Sequence, residues 1–386
     1  MTHISDIKDK NKHDIIKLLY TKHNLSKKRI AIELGLSPSV LTKLCNELKE
    51  EGLIMETSPL ESLSAGRKEI GISIKPDYKY CFGITLNHKK TSILLVDMGL
   101  SVLDEVQFTT SSYPEEHLNG IIDSLRKLID KHNLGPHQIL GIGISLKGIT
   151  DGIHTHSGIW NLQFNVKEVF ERNLKIPVVI DNGIRCSAML EQLTTSDNNF
   201  LFIKYMEPGI GGAVIKHGRV QKGESHSIMD FGHLIMDKEG DYCPICKRRG
   251  CLESLISIES ILQYTKDNFS NNETSLLRDL CDGNIENINI QNIMQAADKG
   301  CILYNKLFKH HAEYLAIALI NTLAVMDIKK VIMIGDLFSS KRFCEYFRYA
   351  IYEYQLTPIY DNIEIHIHKN ELLSPIALVL NEFLFV

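Results

Sequence analysis

The chain has 386 residues, more than the roughly 100–200 that one core usually organises, so two or three compact units are expected. Its 44% apolar, 23% charged and 8% aromatic content excludes a disordered or fibrous protein. The net charge of −4 divides unevenly: residues 1–75 hold 13 Lys and Arg against 10 Asp and Glu, leaving the acidic excess to the remainder, which permits nucleic-acid binding near the N-terminus without requiring it.

No run approaches the ~18 uninterrupted apolar residues of a membrane span, and charges are scattered from the first turns onward, so a cytoplasmic protein without a secretory leader or membrane contact is expected. In chain order, Ile15, Ile16, Leu18, Leu19 and Tyr20 recur at helical spacing within residues 9–22 and predict an amphipathic helix. Ser26 is placed to cap a second helix over 27–34, which Gly35 ends. Ser37 caps a third that starts at Pro38 and runs to Glu51, with Val40, Leu41, Leu44 and Leu48 expected on its apolar stripe. Ser39, Thr42, Lys43 and Asn46 fall on its other faces.

Two short helices joined at a glycine-containing turn, with small polar residues opening the second, match a helix-turn-helix whose second helix enters the major groove. Residues 53–56, a polar loop at 62–68 and the alternating Ile70, Ile72 and Ile74 then predict a hairpin wing. Arg67 suits a minor groove and Lys68 a phosphate. The candidate DNA-binding residues are Ser37, Ser39, Thr42, Lys43, Arg67 and Lys68.

Beyond Pro76 the pattern turns to strands at 80–86 and 91–97, a helix around 118–132, and apolar strands at 139–145 and 178–181. Strands alternating with helices give an α/β class, in which ligands bind at the carboxyl ends of strands. Asp181 and Asn182 lie at such an end, although Asp181-Asn182-Gly183 also reads as a simple turn and helix cap before 184–193. The glycines of segment 208–215 admit an anion or form an ordinary turn. Residues 267–292 are rich in Asn and Asp and read as a variable surface insertion, followed by a long helix at 307–323, a strand at 330–334 and a terminal helix at 374–384.

The strongest local chemistry is His233 with Cys243, Cys246 and Cys251, three thiols and an imidazole within nineteen residues. A Cys-x-x-Cys knuckle with a third Cys and a His supplies the four soft ligands of a closed tetrahedral site, so a structural zinc ion is expected. A redox Cys-x-x-Cys leaves Cys251 and His233 unexplained. The other six cysteines are scattered and read as small core residues.

Taken in order, Ser64-Ala65-Gly66-Arg67, the run 141–144 with Gly148, Asn161-Leu162, Asp230-Phe231-Gly232-His233 and Gly250-Cys251-Leu252-Glu253 resemble the ROK family of repressors, open reading frames and sugar kinases, in its repressor branch. The resemblance implies a winged helix-turn-helix over 1–75 followed by a two-lobed actin- and hexokinase-like (ribonuclease H-like) sugar-kinase fold. Its first lobe spans 76–190 with helix 374–386 packing back, and its second, carrying the zinc loop, spans 191–373. It further implies that Asn161, Asn182, Asp230, His233 and Glu253 bind a sugar or sugar-phosphate effector.

Kinases of that family carry Asp-Asn-Asp, whose second Asp is the general base; Gly183 stands at that position. Thr85 to Lys89, Glu207-Pro208 and Gly335-Asp336 also depart from the family's phosphate-binding pattern. Asp230 is shorter than the usual Glu, and the knuckle has one residue more than the usual Cys-x-Cys. The expected function is that of a non-enzymatic, homodimeric or higher-order repressor that binds double-stranded DNA and senses a sugar. An active ATP-dependent sugar kinase with a DNA-binding appendage, and a ligand-free scaffold on DNA, are the alternatives.

Overall fold

The structure, a computed structural model, describes residues 4–60, 69–87, 89–150, 155–157, 165–195, 197–207, 209–224, 229–270, 275–355, 363–366 and 371–385. Its residues form two compact units, one comprising 1–197 with 370–386 and the other 198–369. Among the described residues no helix is long and apolar enough to cross a membrane.

The first unit begins with α1 (Ile4–Lys22), β1 (Leu25–Ser26), α2 (Lys27–Leu34) and α3 (Pro38–Glu50). Ser26 Oγ accepts the Arg29 N–H at 3.2 Å, Gly35 ends α2 at φ +65°, and Ser37 Oγ accepts the Val40 N–H at 3.4 Å. Each such cap stabilises its helix by about 1 kcal/mol. Ile15, Ile16, Leu19, Ile30, Leu41, Leu44 and Leu48 are buried together at the centre of this head. Strands β2 (Ile54–Pro59) and β3 (Ile70–Ile74) pair antiparallel, with β1 on the other side of β3, giving a wing on three helices.

The rest of the unit holds β4 (Tyr80–Leu86), β5 (Lys90–Asp97), β6 (Val102–Thr109), α4 (Pro114–Lys131), β7 (Ile139–Leu146), β8 (Gly148–Thr150), β9 (Thr155–Ser157), α5 (Val166–Leu174), β10 (Val178–Asn182) and α6 (Gly183–Thr195). Its sheet runs β10-β7-β4-β5-β6, parallel across the first three strands and antiparallel across the rest. Leu118, Ile121, Ile122, Leu125 and Leu128 of α4, spaced by three and four, close the core over it. A helix over Ser374–Phe383 returns to the same sheet and to α6.

The second unit repeats this plan. β11 (Phe200–Met206), β12 (Gly209–Lys216) and β13 (Arg219–Val220) are followed by α7 (Leu252–Ile256), α8 (Ile258–Asp267), α9 (Ser275–Leu280), α10 (Ile290–Asp298), α11 (Ile302–Met326), β14 (Val331–Gly335), α12 (Lys341–Tyr354) and β15 (Ile363–His366). The order β13-β12-β11-β14-β15 places the first three strands antiparallel and the last two parallel, as in the first sheet. The helix at Ser374–Phe383, α13, belongs to the first unit.

Three local expectations change. Val40 is 43% exposed, and Cys45 completes the buried stripe of Leu41, Leu44 and Leu48, because a step of 100° per residue turns position 40 away from that seam. Residues 267–292 are not a surface insertion throughout: Leu277, Cys281 and Ile290 are buried in the second core. Their asparagines act as caps, Asn284 Oδ1 accepting the Glu286 N–H and Asn289 Oδ1 the Asn292 N–H. Of the scattered cysteines five are buried, while Cys344 is half-buried and donates to the Phe338 carbonyl.

Candidate nucleic-acid interface and metal centre

The outward face of α3 carries Pro38, Ser39, Thr42, Lys43, Asn46, Glu47 and Glu50 around a shallow, open depression. Ser37, Ser39, Thr42 and Lys43 are all exposed. Ser37 is committed to its cap and lies 3.2 Å from Ser39 Oγ, while Thr42 Oγ1 donates to the Pro38 carbonyl at 2.7 Å. Glu47 is held by Lys8 and Lys12 at 2.8 and 3.0 Å, so one of the acidic groups beside this face is neutralised. Arg67 and Lys68 lie outside the described residues, as does Asn161.

At the carboxyl end of β10, Asp181 is buried against Arg185 in the first turn of α6, whose guanidinium also donates to the Thr150 carbonyl at 3.1 Å. Asn182 faces two ways: Nδ2 donates to the Gly148 carbonyl and Oδ1 accepts the Ile184 N–H, at 2.7 and 2.8 Å. The cap reading of this turn therefore holds. A Cβ on Gly183 would meet Ser145 Oγ at 3.2 Å.

In the second unit Asp230 is exposed, and the turn Phe231–His233 follows it. Glu253, on the first turn of α7, lies against the backbone of two glycines: a Cβ would come within 2.7 Å of its carboxylate from Gly209 and 2.8 Å from Gly232. It accepts the Ile210 N–H at 3.3 Å. Glu253 and the Gly232-His233 turn are thereby packed against the same stretch of β12.

His233, Cys243, Cys246 and Cys251 come together, their ligand atoms all within 4.8 Å of one another. Cys243 Sγ is 3.8 Å from His233 Nδ1, and Cys246 Sγ is 3.2 Å from Cys251 Sγ. Ligands at about 2.0–2.3 Å around a tetrahedral ion stand about 3.5–3.8 Å apart, so this donor set fits one. Cys243 and Cys251 are buried and Cys246 half-buried. Burial by itself would raise the Cys246 thiol, but hydrogen bonds with Arg248 and the neighbouring thiols hold it down at about 6. Burial and the bond with Cys246 push Cys251 up to about 12.

Two participants escape the motif reading. Arg248 stands beside Cys246 and donates to the His233 carbonyl at 3.1 Å, which joins both ends of the loop. Arg185 is recognisable in sequence only as the residue four after Asp181, a spacing that becomes informative once α6 is known to begin at Gly183.

Residues 81–371 match the ROK family, and residues 8–55 match the winged helix-turn-helix DNA-binding family. The N-acetylglucosamine repressor of Escherichia coli O6:H1 is 22% identical over 338 residues, covering 86% of this chain and 81% of that protein. A ROK family transcriptional regulator, a homologue of the E. coli MLC protein, superposes with a TM-score of 0.78 at 22% identity over 97% of this chain and 96% of its own. A ROK family glucokinase from Streptomyces griseus, in complex with glucose and AMPPNP, gives 0.63 at 18% identity over 78% of this chain and 98% of its own. The likeness to these structures establishes fold: a winged helix-turn-helix joined to a sugar-kinase fold.

Proposed function

The chain belongs to the ROK family, and on that footing we propose that it is a sequence-specific DNA-binding regulator, a repressor of carbohydrate-metabolism genes, that senses a sugar or sugar phosphate without phosphorylating it. One observation carries the reading: a recognition helix with an exposed polar face is fused to a sugar-kinase fold, and the resemblance to the family's kinases implies that Gly183 takes the position of their base. A glycine has no group to accept a proton, and loss of a general base costs about 10²- to 10⁴-fold in rate. Asp181 does not substitute for it, being buried against Arg185.

In this reading Asn161, Asn182, Asp230, His233 and Glu253 bind the effector, since amides and carboxylates hold hydroxyl pairs with oriented hydrogen bonds. His233, Cys243, Cys246 and Cys251 hold a zinc ion, which when bound supplies a closed tetrahedral cross-link. With Nδ1 turned to the thiols, His233 keeps Nε2 for the effector. On DNA, Ser37, Ser39, Thr42 and Lys43 face the major groove and Arg67 and Lys68 lie at the wing. The chain acts as a homodimer, presenting two recognition helices to half-sites about 34 Å apart. Effector binding favours a state in which the helices no longer match those half-sites.

The test is a genomic pull-down followed by gel shifts with and without a panel of sugars and sugar phosphates. A preferred sequence is expected, released by one member of the panel; binding without sequence preference overturns the reading. No ATP consumption is expected with hexoses or amino sugars, and turnover abolished by Asp181→Asn would establish a kinase instead.

A further inference from the structure

We propose that Asn46 is the base-reading residue of α3, recognising an adenine in each half-site, and that Lys27 of α2 positions its carboxamide; this rests on the DNA-binding reading above. At 100° per residue, Asn46 lies about 20° around the helix from Ser39 and about 40° from Thr42. Leu41, Leu44 and Leu48 are buried on the opposite side. Asn46 is exposed and lines the same depression as Ser39, Thr42 and Lys43, one turn farther along.

Apart from Ser39, whose single hydroxyl lies 3.2 Å from Ser37 Oγ and cannot span a base edge in bidentate fashion, the neighbouring side chains are either committed or chemically one-sided. Ser37 caps the helix, Thr42 donates to its own preceding turn, and Glu47 is paired with Lys8 and Lys12. Lys43 can only donate and suits a phosphate, and Glu50 can only accept. Asn46 offers two N–H donors and an acceptor on one rigid plane. The Lys27 ammonium lies 3.5 Å from its Oδ1, a contact that favours oxygen at that end of the amide and leaves the Nδ2 hydrogens and a second lone pair for another partner. In the major groove adenine alone presents the N7 acceptor beside the N6 donor that this arrangement complements.

The experiment is selection and sequencing from a randomised duplex DNA library with the full chain, comparing wild type with Asn46→Ala, Lys27→Met and Lys43→Ala, each checked for an unchanged melting temperature. In the wild-type motif Asn46→Ala is expected to lose about 5- to 150-fold of preference at one symmetric pair of adenines and to keep the remaining positions. Lys27→Met loses part of the preference at the same pair. Lys43→Ala keeps the motif, weakens all sequences alike and lowers the salt slope by about one.

An Asn46→Ala motif identical to wild type, or a loss at a base other than adenine, overturns the assignment, and an unchanged profile for Lys27→Met removes its positioning role. If Asn46→Ala fails to fold, Asn46→Ser is read in the same way. A wild-type chain that enriches no motif refutes the DNA-binding reading itself, a result distinct from failure of Asn46 alone.

Discussion

At Gly250 the backbone adopts φ +67°, and a Cβ would stand 1.4 Å from the Asp237 carbonyl oxygen. No side chain fits there, and the neighbouring Cys251 is one of the four clustered metal-ligand candidates. Gly250→Ala is therefore expected to displace Cys251 and release zinc, seen as a fall from about one zinc per chain to none by elemental analysis, with a lowered melting temperature. Cys246→Ser should give the same loss, and retention of full zinc by both variants would count against the site. The clustering of His233, Cys243, Cys246 and Cys251 was legible because a knuckle and its flanking His are close in sequence. Arg248 was not, because its role depends on the loop folding back on the His233 carbonyl. His311 shows the opposite case, a group invisible to motif reading whose burial decides its chemistry. Burial holds it down at about 4 although Nδ1 donates to the Leu307 carbonyl, and Nε2 has no hydrogen-bond partner among the described residues. A depressed folded value means that the unfolded chain binds the extra proton first, so stability falls as pH drops from about 6.5 towards 4. The urea midpoint of His311→Leu should gain on wild type progressively between pH 7 and 4.5; parallel curves would show that His311 does not contribute.

Elements show where local pattern stops being enough. The strands at 80–86 and 139–145 were readable from their apolar runs, yet their glycines make sense only with α13 in place. A Cβ on Gly143 would meet the Pro375 carbonyl oxygen at 2.0 Å, and on Gly141 the Phe383 ring at 2.6 Å. The glycines let a helix lie directly on the sheet. Gly143→Ala, opposed by backbone that cannot rotate aside, is expected to cost about 1–3 kcal/mol in urea unfolding, and a change below ~0.5 kcal/mol would refute the close packing. Likewise the Asn-rich stretch before α10 lacks a long apolar period because it is built from short capped turns, so its contribution to the core through Leu277 and Cys281 was hidden. The duplicated sheet order was hidden for a similar reason: strand neighbours are chosen by long-range pairing, which one-dimensional periodicity does not encode.

For the molecule as a whole, the regulator reading needs a path by which a bound sugar alters the DNA-binding head, and in the first unit the elements that would carry it are in contact. Helix α6 starts at Gly183, immediately after Asn182, and α1 of the head packs against α6. Tyr20 of α1 meets Phe385 edge-on with ring centroids 5.8 Å apart, and Lys17 lies over the same ring at 5.2 Å. Phe385 is thus part of the seat of the head, just past α13, which itself packs on α6. A change at Asn182 that tilts α6 must either carry α1 with it or break this contact. Coupling between two sites is reciprocal: the factor by which sugar weakens DNA is the factor by which DNA weakens sugar. Phe385→Ala removes the aromatic contact without touching the recognition face of α3 or the proposed effector residues. It should therefore leave each ligand's affinity alone within about threefold while shrinking both coupling factors together, since ordinary couplings amount to about 5- to 150-fold. The measurement is a DNA titration by fluorescence anisotropy with and without saturating sugar, paired with a sugar titration with and without saturating operator. Coupling factors equal to wild type would show that the signal reaches the head by another route, and loss of DNA affinity in the absence of sugar would show that Phe385 merely holds the head in its folded place.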